Sequence, residues 1–367
     1  MAELCFFIGS LAGGGSERVC LNLANELATR YGRTVELLVL NDKNNAYGSQ
    51  LQKEVKYRSL NVSNSRYALF PLVKYLIKNR PKLVVAFSYE LTVLLVIARK
   101  ILKLNFFVIA RNVNTFTKNF EEDGNLWRRW IVTPIVKKLY SGADYYINQC
   151  NGMQQDLITA MPSIKNKTCI INNPVRESLF EFEPEENAPK YPYFLCVGRL
   201  ENQKQFSHAI QAFSLLQKNH PEMKLIIIGK GSLYDSLKDQ VRQLNLISSV
   251  VFEGFRSDVE EYYYNAKATL LTSKYEGFPN VLLESLALGT PVVAYDCPSG
   301  PSEIIIEGTN GYLISNGAVN DMAIGMQHIL NNKFSRSAVR NTAEKFKSHT
   351  ITEQYIKTFE KIINKVY

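Results

Sequence analysis

Residues 273–294 read SKYEGFPNVLLESLALGTPVVA. An apolar run precedes them at Ala268–Thr272, and Pro291–Ala294 closes them with another, so the stretch reads as strand, loop, helix, strand. Glu276 falls in the loop, and Glu284 lies about a turn and a half into the helix. Pro279 suits a first helical turn, where its missing N–H costs no hydrogen bond. Gly277 opens the backbone to close approach, and the N–H groups from Asn280 to Leu282 leave a helix start, a seat for an anion.

The same alternation of short β-rich runs and longer helical patterns fills both halves, the signature of βαβ units around parallel sheets. Strands are expected near Leu4–Ile8, Val35–Leu40, Leu83–Phe87, Phe106–Ala110, Asp144–Asn148 and Thr168–Ile171. A second set is expected near Tyr193–Val197, Lys224–Ile228, Val250–Glu253, Ala268–Thr272, Pro291–Ala294 and Gly311–Ile314. The fold class is α/β, with two doubly wound Rossmann-like domains. The first is expected over 1–172, a proline-rich acidic linker over 173–192, the second domain over 193–345, and a helix over 346–367 that packs back on the first domain. No fixed-period repeat or low-complexity tract is visible, which excludes solenoids.

A length of 367 residues suits two domains, and 46% hydrophobic with 21% charged residues excludes disorder, collagen and coiled coil. Six cysteines form no C-x-x-C pair and several sit in apolar runs, so buried reduced thiols are expected. The opening MAELCFFIGSLAGGG lacks a basic leader and reads as a first strand, with no export expected. Arg99, Lys100 and Lys103 interrupt the apolar stretch Leu91–Ala110. At roughly 2.5–3.5 kcal/mol per central cation, it should not span a bilayer.

Charge is uneven. Residues 1–172 carry 23 Lys and Arg against 12 Asp and Glu, and the remainder carries 20 against 22. The basic half is expected to meet something anionic: a phospholipid surface, a lipid-linked phosphate or nucleic acid. The plain alternative is a solvated basic surface.

Two further loops bear on chemistry. The first strand runs into SLAGGGSERV, a glycine turn before a helix start, where Gly13, Gly14 and Gly15 could admit an anion; it fits neither G-x-G-x-x-G nor the P-loop pattern. In CVGRL, Arg199 ends a strand and Lys204 follows five residues later. Two cations at the carboxyl edge of a parallel sheet suit a diphosphate, and solvated charges are the alternative.

The Glu-x7-Glu pair Glu276/Glu284 inside EGFPNVLLESLALGTPVVA, the GRL-x3-K of Arg199 and Lys204, and the glycine-rich first loop together resemble glycosyltransferase family 4. The resemblance implies a GT-B fold and a retaining transferase using a nucleotide sugar. It implies that Arg199 and Lys204 neutralise the donor diphosphate, that Glu284 accepts from the ribose hydroxyls, and that Glu276 accepts from the transferred sugar. It also implies donor contacts along Gly277, Phe278, Pro279, Asn280 and Val281, with Gly14 and Gly15 meeting the diphosphate and the 251–256 stretch flanking the base. One departure stands out: none of the four histidines falls within residues 1–172. Arg111 and Asn112, followed by Asn114, occupy the place where the family commonly has one. They could bind an acceptor or cap a strand.

No Asp-x-Asp pair or His/Cys cluster has ligand spacing, so neither a metal nor another cofactor is expected. EEYYYNA (Glu260–Ala266) reads as a helix with a buried aromatic face. In LWRRWIVTPIVKKL, Trp127, Trp130, Ile131 and Ile135 share a helical face opposite Arg128, Arg129 and Lys137, which suits a core or an interfacial helix.

The expected partners are a nucleotide-sugar donor, UDP-linked; a lipid-linked or lipopolysaccharide saccharide acceptor; and the anionic inner face of the cell membrane, on which a cytoplasmic, peripheral protein would dock. Nucleic acid is not expected. The alternatives are a catalytically idle GT-B scaffold and a GT-B sugar-nucleotide epimerase, which would want acid/base groups in the first domain.

Overall fold

The computed structural model describes residues 3–43, 45–118, 132–184 and 191–364. Trp127, Trp130, Ile131, Arg128 and Arg129 lie outside them. The chain divides into two compact units, Met1–Pro174 with Ser348–Tyr367, and Val175–Lys347.

In the first unit, strands β1 (Leu4–Ile8), β2 (Val35–Val39), β3 (Lys56–Ser59), β4 (Leu83–Ala86), β5 (Phe107–Arg111), β6 (Tyr145–Asn148) and β7 (Thr168–Ile170) alternate with helices α1 (Gly15–Thr29), α2 (Leu69–Asn79), α3 (Tyr89–Leu102), α4 (Thr133–Tyr140) and α5 (Asn151–Ala160). The described strands form one parallel sheet in the order β3-β2-β1-β4-β5-β6-β7. All five residues of β1, LCFFI, are buried, because both faces of the sheet are covered. Leu4, Phe6 and Ile8 join one core with α1, while Cys5 and Phe7 join the other with α2, α3 and α4. This is the period-two alternation of a pleated strand.

The second unit holds β8 (Tyr193–Val197), α6 (Phe206–Gln217), β9 (Lys224–Ile228), α7 (Tyr234–Gln243), β10 (Val250–Gly254), α8 (Glu260–Asn265), β11 (Ala268–Leu271), α9 (Asn280–Ala287), β12 (Val292–Asp296), α10 (Pro301–Ile304), β13 (Gly311–Ser315), α11 (Val319–Asn331) and α12 (Arg336–Ala343). Its parallel sheet runs β10-β9-β8-β11-β12-β13. The two sheets therefore share a plan: each reverses direction of growth beside its first strand, between β1 and β4 and between β8 and β11. At such a reversal the flanking loops diverge and leave a crevice at the carboxyl ends of the strands.

Helix α13 (Ser348–Asn364) belongs to the first unit. Its buried stripe, Ile351, Tyr355, Phe359 and Ile362, packs in the core of α1 and β1. Each of these large side chains contributes about 1.5–3 kcal/mol by burial. The outgoing and returning chain run side by side within the second unit, where Val175 N donates to Phe346 O at 2.8 Å and Lys347 lies over the Phe180 ring. Residues 175–184, expected as linker, are thus part of that unit, with Leu179 and Phe180 buried.

Two local readings change. Strand β3 was not expected. Its KYRS is exposed at the sheet edge, where charge guards an unpaired backbone, so it lacks the apolar run that marks the interior strands. Pro279 is the N-cap of α9 rather than a residue of its first turn, since its ψ of 110° is extended.

All six cysteines are free thiols, five buried and Cys169 half-buried. Burial pushes the Cys5 thiol up to about 12 and Cys169 up to about 11, and raises Cys20 and Cys196 as well. A thiol must ionise to react. The native protein should therefore resist iodoacetamide at neutral pH and react fully in denaturant, as mass spectrometry would read; rapid native labelling of Cys5 or Cys196 would contradict this packing.

Candidate functional site

Arg199 and Lys204 follow β8, and Glu276 follows β11, so the carboxyl edge at the order reversal of the second sheet brings them into one region. Lys204 Nζ donates to Glu276 Oε1 at 2.6 Å, and Ser273 Oγ donates to the same oxygen at 2.6 Å. The pair is largely out of water, with side chains 15% and 8% exposed. Burying two opposite charges is tolerated only when both are paired and hydrogen-bonded, and the Ser273 hydroxyl adds the second bond.

The two loops that carry this pair are laced together. Thr272 Oγ1 donates to the carbonyls of Lys204 and Gln205 at 2.9 and 3.0 Å. Lys274 N donates to Gln203 O at 2.8 Å, and Gln203 Nε2 returns to Tyr275 O at 3.0 Å. Gln205 takes a left-handed φ of 45° as the N-cap of α6. Ser273, Thr272 and Gln203 were not singled out in the sequence. Ser273 lies three residues before Glu276 in the same loop, a local spacing that could have pointed to it, whereas Thr272 and Gln203 have partners 67 to 72 residues away that no local spacing announces.

Neighbouring loops complete the edge. Arg199 is exposed, and the adjoining Glu201 carboxylate accepts from Ser232 N at 2.9 Å and Oγ at 2.7 Å, bonds that hold its pKa below the usual carboxylate range. Gly229, at φ 150°, lies so near the next loop that a Cβ would stand 1.8 Å from Gly198 O. Gly300, at φ 97°, backs the Gly277–Pro279 turn, where a Cβ would meet Gly277 O at 2.8 Å. Cys297 lies within electrostatic reach of Glu276 and Lys204; burial first, then the Glu276 charge, push its thiol up to about 12.

Helix α9 starts at Asn280 with no side-chain cap, and Asn280, Val281 and Glu284 are partly exposed. The Phe278 ring is buried edge-on against Phe346, at 5.6 Å between centroids. Tyr263 is the buried residue of the tyrosine-rich helix α8.

In the first unit, α1 begins at Gly15 with Gly14 as an extended N-cap and no side-chain cap. The Glu17 carboxylate lies against Gly14, where it complements the positive end of the helix. Arg111 is buried at the end of β5, donating from Nε to Tyr355 Oη at 2.8 Å and from Nη2 to Asn173 Oδ1 at 2.6 Å. Asn112 donates to Asn148 Oδ1 at 2.8 Å and accepts from Tyr140 Oη at 2.7 Å. These bonds describe strand-end packing: Arg111 fastens α13 to the sheet. His349 lies in the first turn of α13, so one histidine does belong to the first unit, in the returning helix rather than within residues 1–172.

Comparison with known proteins sets this edge in context. A family model described as "Glycosyltransferase Family 4" matches residues 13–179, and one described as "Glycosyl transferases group 1" matches residues 178–346. The chain is 29% identical over 94% of its length, and 94% of the other's, to the N-acetylgalactosamine-N,N'-diacetylbacillosaminyl-diphospho-undecaprenol 4-alpha-N-acetylgalactosaminyltransferase of Campylobacter jejuni. A lipopolysaccharide 1,6-galactosyltransferase of Salmonella typhimurium is 31% identical over 56% of this chain and 58% of that one. Among solved structures, Anabaena Alr3699/HepE in complex with UDP and glucose superposes with a TM-score of 0.82 at 19% identity, covering 98% of this chain and 100% of that chain. The apo lipopolysaccharide outer core galactosyltransferase WaaB gives 0.75 at 22%, covering 98% and 99%. Both share the two-Rossmann GT-B fold.

Two substitutions probe the edge. Lys204→Met strands a buried carboxylate and should cost up to about 3–5 kcal/mol in denaturant unfolding, with Lys204→Met/Glu276→Gln recovering part of it; additive losses would show that the two groups are not coupled. Gly300→Ala should cost about 1 kcal/mol or more through its positive φ, and unchanged stability would contradict the strained turn.

Proposed function

Because the chain belongs to glycosyltransferase family 4, we propose that it moves a hexose or N-acetylhexosamine, with retention of configuration, from a UDP-linked sugar to a lipid-linked or lipopolysaccharide saccharide. The observation that carries this reading is the Lys204–Glu276 pair, held at the strand-order reversal of the second unit by the laced loops.

The roles follow from chemistry at that edge. An ammonium has three donors, and Glu276 engages Lys204 through one bond, so Lys204 can hold its carboxylate and a phosphate oxygen together. Arg199 adds a planar guanidinium suited to phosphate. As the sugar–phosphate bond lengthens, charge grows on the departing nucleoside diphosphate. Cations already fixed in place stabilise it without reorganisation, usually the largest catalytic contribution. The N–H groups at the start of α9 share that load. Glu284 accepts from the ribose hydroxyls and Glu276 from hydroxyls of the transferred sugar. The acceptor hydroxyl attacks on the face that the leaving group vacates. These cations meet the charge that a metal would otherwise carry, so the reaction is proposed to proceed without one.

The first unit is assigned to the acceptor side and to an anionic membrane surface, on the cytoplasmic face. The name of the Campylobacter enzyme, which specifies a diphospho-undecaprenol glycan, supports a lipid-linked acceptor, and the HepE complex with UDP and glucose supports a UDP-sugar donor.

Calorimetry against UDP-, GDP-, ADP- and dTDP-sugars, with and without a divalent cation, tests the donor assignment. Saturable binding of UDP-sugars that is indifferent to the cation and weakened at least about tenfold in Glu284→Ala is expected, the size of one lost charged hydrogen bond. Wild-type affinity in the variant would remove the Glu284 role.

A further inference from the structure

The helical layer on one face of the first sheet has an outer surface that the proposed chemistry does not use. Helices α2, α3 and α4 turn their buried residues to one core, shared with Cys5, Phe7, Val84 and Val108 of the sheet. On the opposite side of α2, Phe70, Lys74, Ile77 and Lys78 share a helical arc, and all four are exposed, Phe70 at 79%. Ile101, 62% exposed, and Lys100 end the outer side of α3, and Ile135 and Lys138 stand exposed on α4. Single exposed apolar residues are ordinary. A series of them on adjacent helices of one layer marks a contact surface.

The charge of this region says what the contact is. Residues 55–120 contain twelve Lys and Arg and a single acidic residue, Glu90. Not every cation serves the surface: Arg99 is spent inside, on Asp144 and the carbonyls of Phe106 and Gly142. Lys74, Lys78, Lys100 and Lys138 are the ones that stand beside the exposed Phe and Ile. Bulky apolar side chains among lysines match a bilayer interface, where rings and aliphatic chains enter the acyl boundary while ammonium groups meet lipid phosphates. A second copy of the chain is a poor occupant, since two such faces would repel.

We infer that the outer face of α2, with the exposed ends of α3 and α4, is the docking surface for an anionic phospholipid bilayer, with Phe70 and Ile77 as inserted anchors and Lys74, Lys78, Lys100 and Lys138 as phosphate contacts. The inference rests on the membrane assignment of the first unit and deepens it by naming the surface. No described helix is long and apolar enough to cross a membrane, so the contact made here is one of attachment.

The test is co-sedimentation of the intact chain with phosphatidylcholine vesicles, with and without phosphatidylglycerol, for wild type, Phe70→Ser/Ile77→Ser, Lys74→Glu/Lys78→Glu, and a control in the second unit, Ile247→Ser, which removes an equally prominent exposed side chain (70%). Each variant is checked for an unchanged thermal midpoint. Binding by wild type should require phosphatidylglycerol and fall with salt. Either patch variant should weaken it by roughly tenfold or more, while Ile247→Ser should not. Wild type that ignores the vesicles would overturn the membrane assignment and this inference with it. Wild type that binds while the patch variants bind equally well, or while Ile247→Ser loses as much, would overturn the surface alone and leave the membrane assignment standing.

Discussion

A lysine and a glutamate from loops 72 residues apart, joined at 2.6 Å and mostly out of water, set the terms for the second unit. Each charge alone would be costly at that depth, so each requires the other, and both require loops that do not move apart. The Thr272, Gln203 and Lys274 bonds supply that fixity. In the proposed reaction this is a cation held in advance for the charge that grows on the leaving group, which is what electrostatic catalysis needs from a protein before substrate arrives.

The place itself follows from topology. Strands β8 and β11 are neighbours although two strands and their helices separate them in sequence order, and at such a reversal the following loops turn to opposite faces of the sheet. The first unit repeats the plan at β1 and β4, where the glycine turn and the start of α1 lie. One folding rule, applied twice, thus yields two carboxyl-edge crevices. At the second stands the charged Lys204–Glu276 pair, while at the first stand a glycine turn and the start of α1.

Much of this was legible from sequence, because the informative signals are local. Interior strands such as LCFFI and KLIII are buried on both faces and announce themselves as apolar runs. The Glu276–Glu284 spacing lies within one loop and helix, and Arg199–Lys204 within another. What was not legible depends on distant partners. The edge strand KYRS looks like any polar loop until it pairs with β2 and Arg58 meets buried Glu36. Arg111 has its hydrogen-bond acceptor in Tyr355, 244 residues away, a partner that no local spacing announces.

The central claim is that the carboxyl edge at β8 and β11 holds a nucleotide sugar through these named groups. A crystal structure of the intact chain grown with UDP tests it most directly. The account predicts the diphosphate against Arg199, Lys204 and the backbone of residues 277–281, with the ribose on Glu284. UDP bound elsewhere, or lying at that edge without touching Lys204 or Glu284, would contradict it.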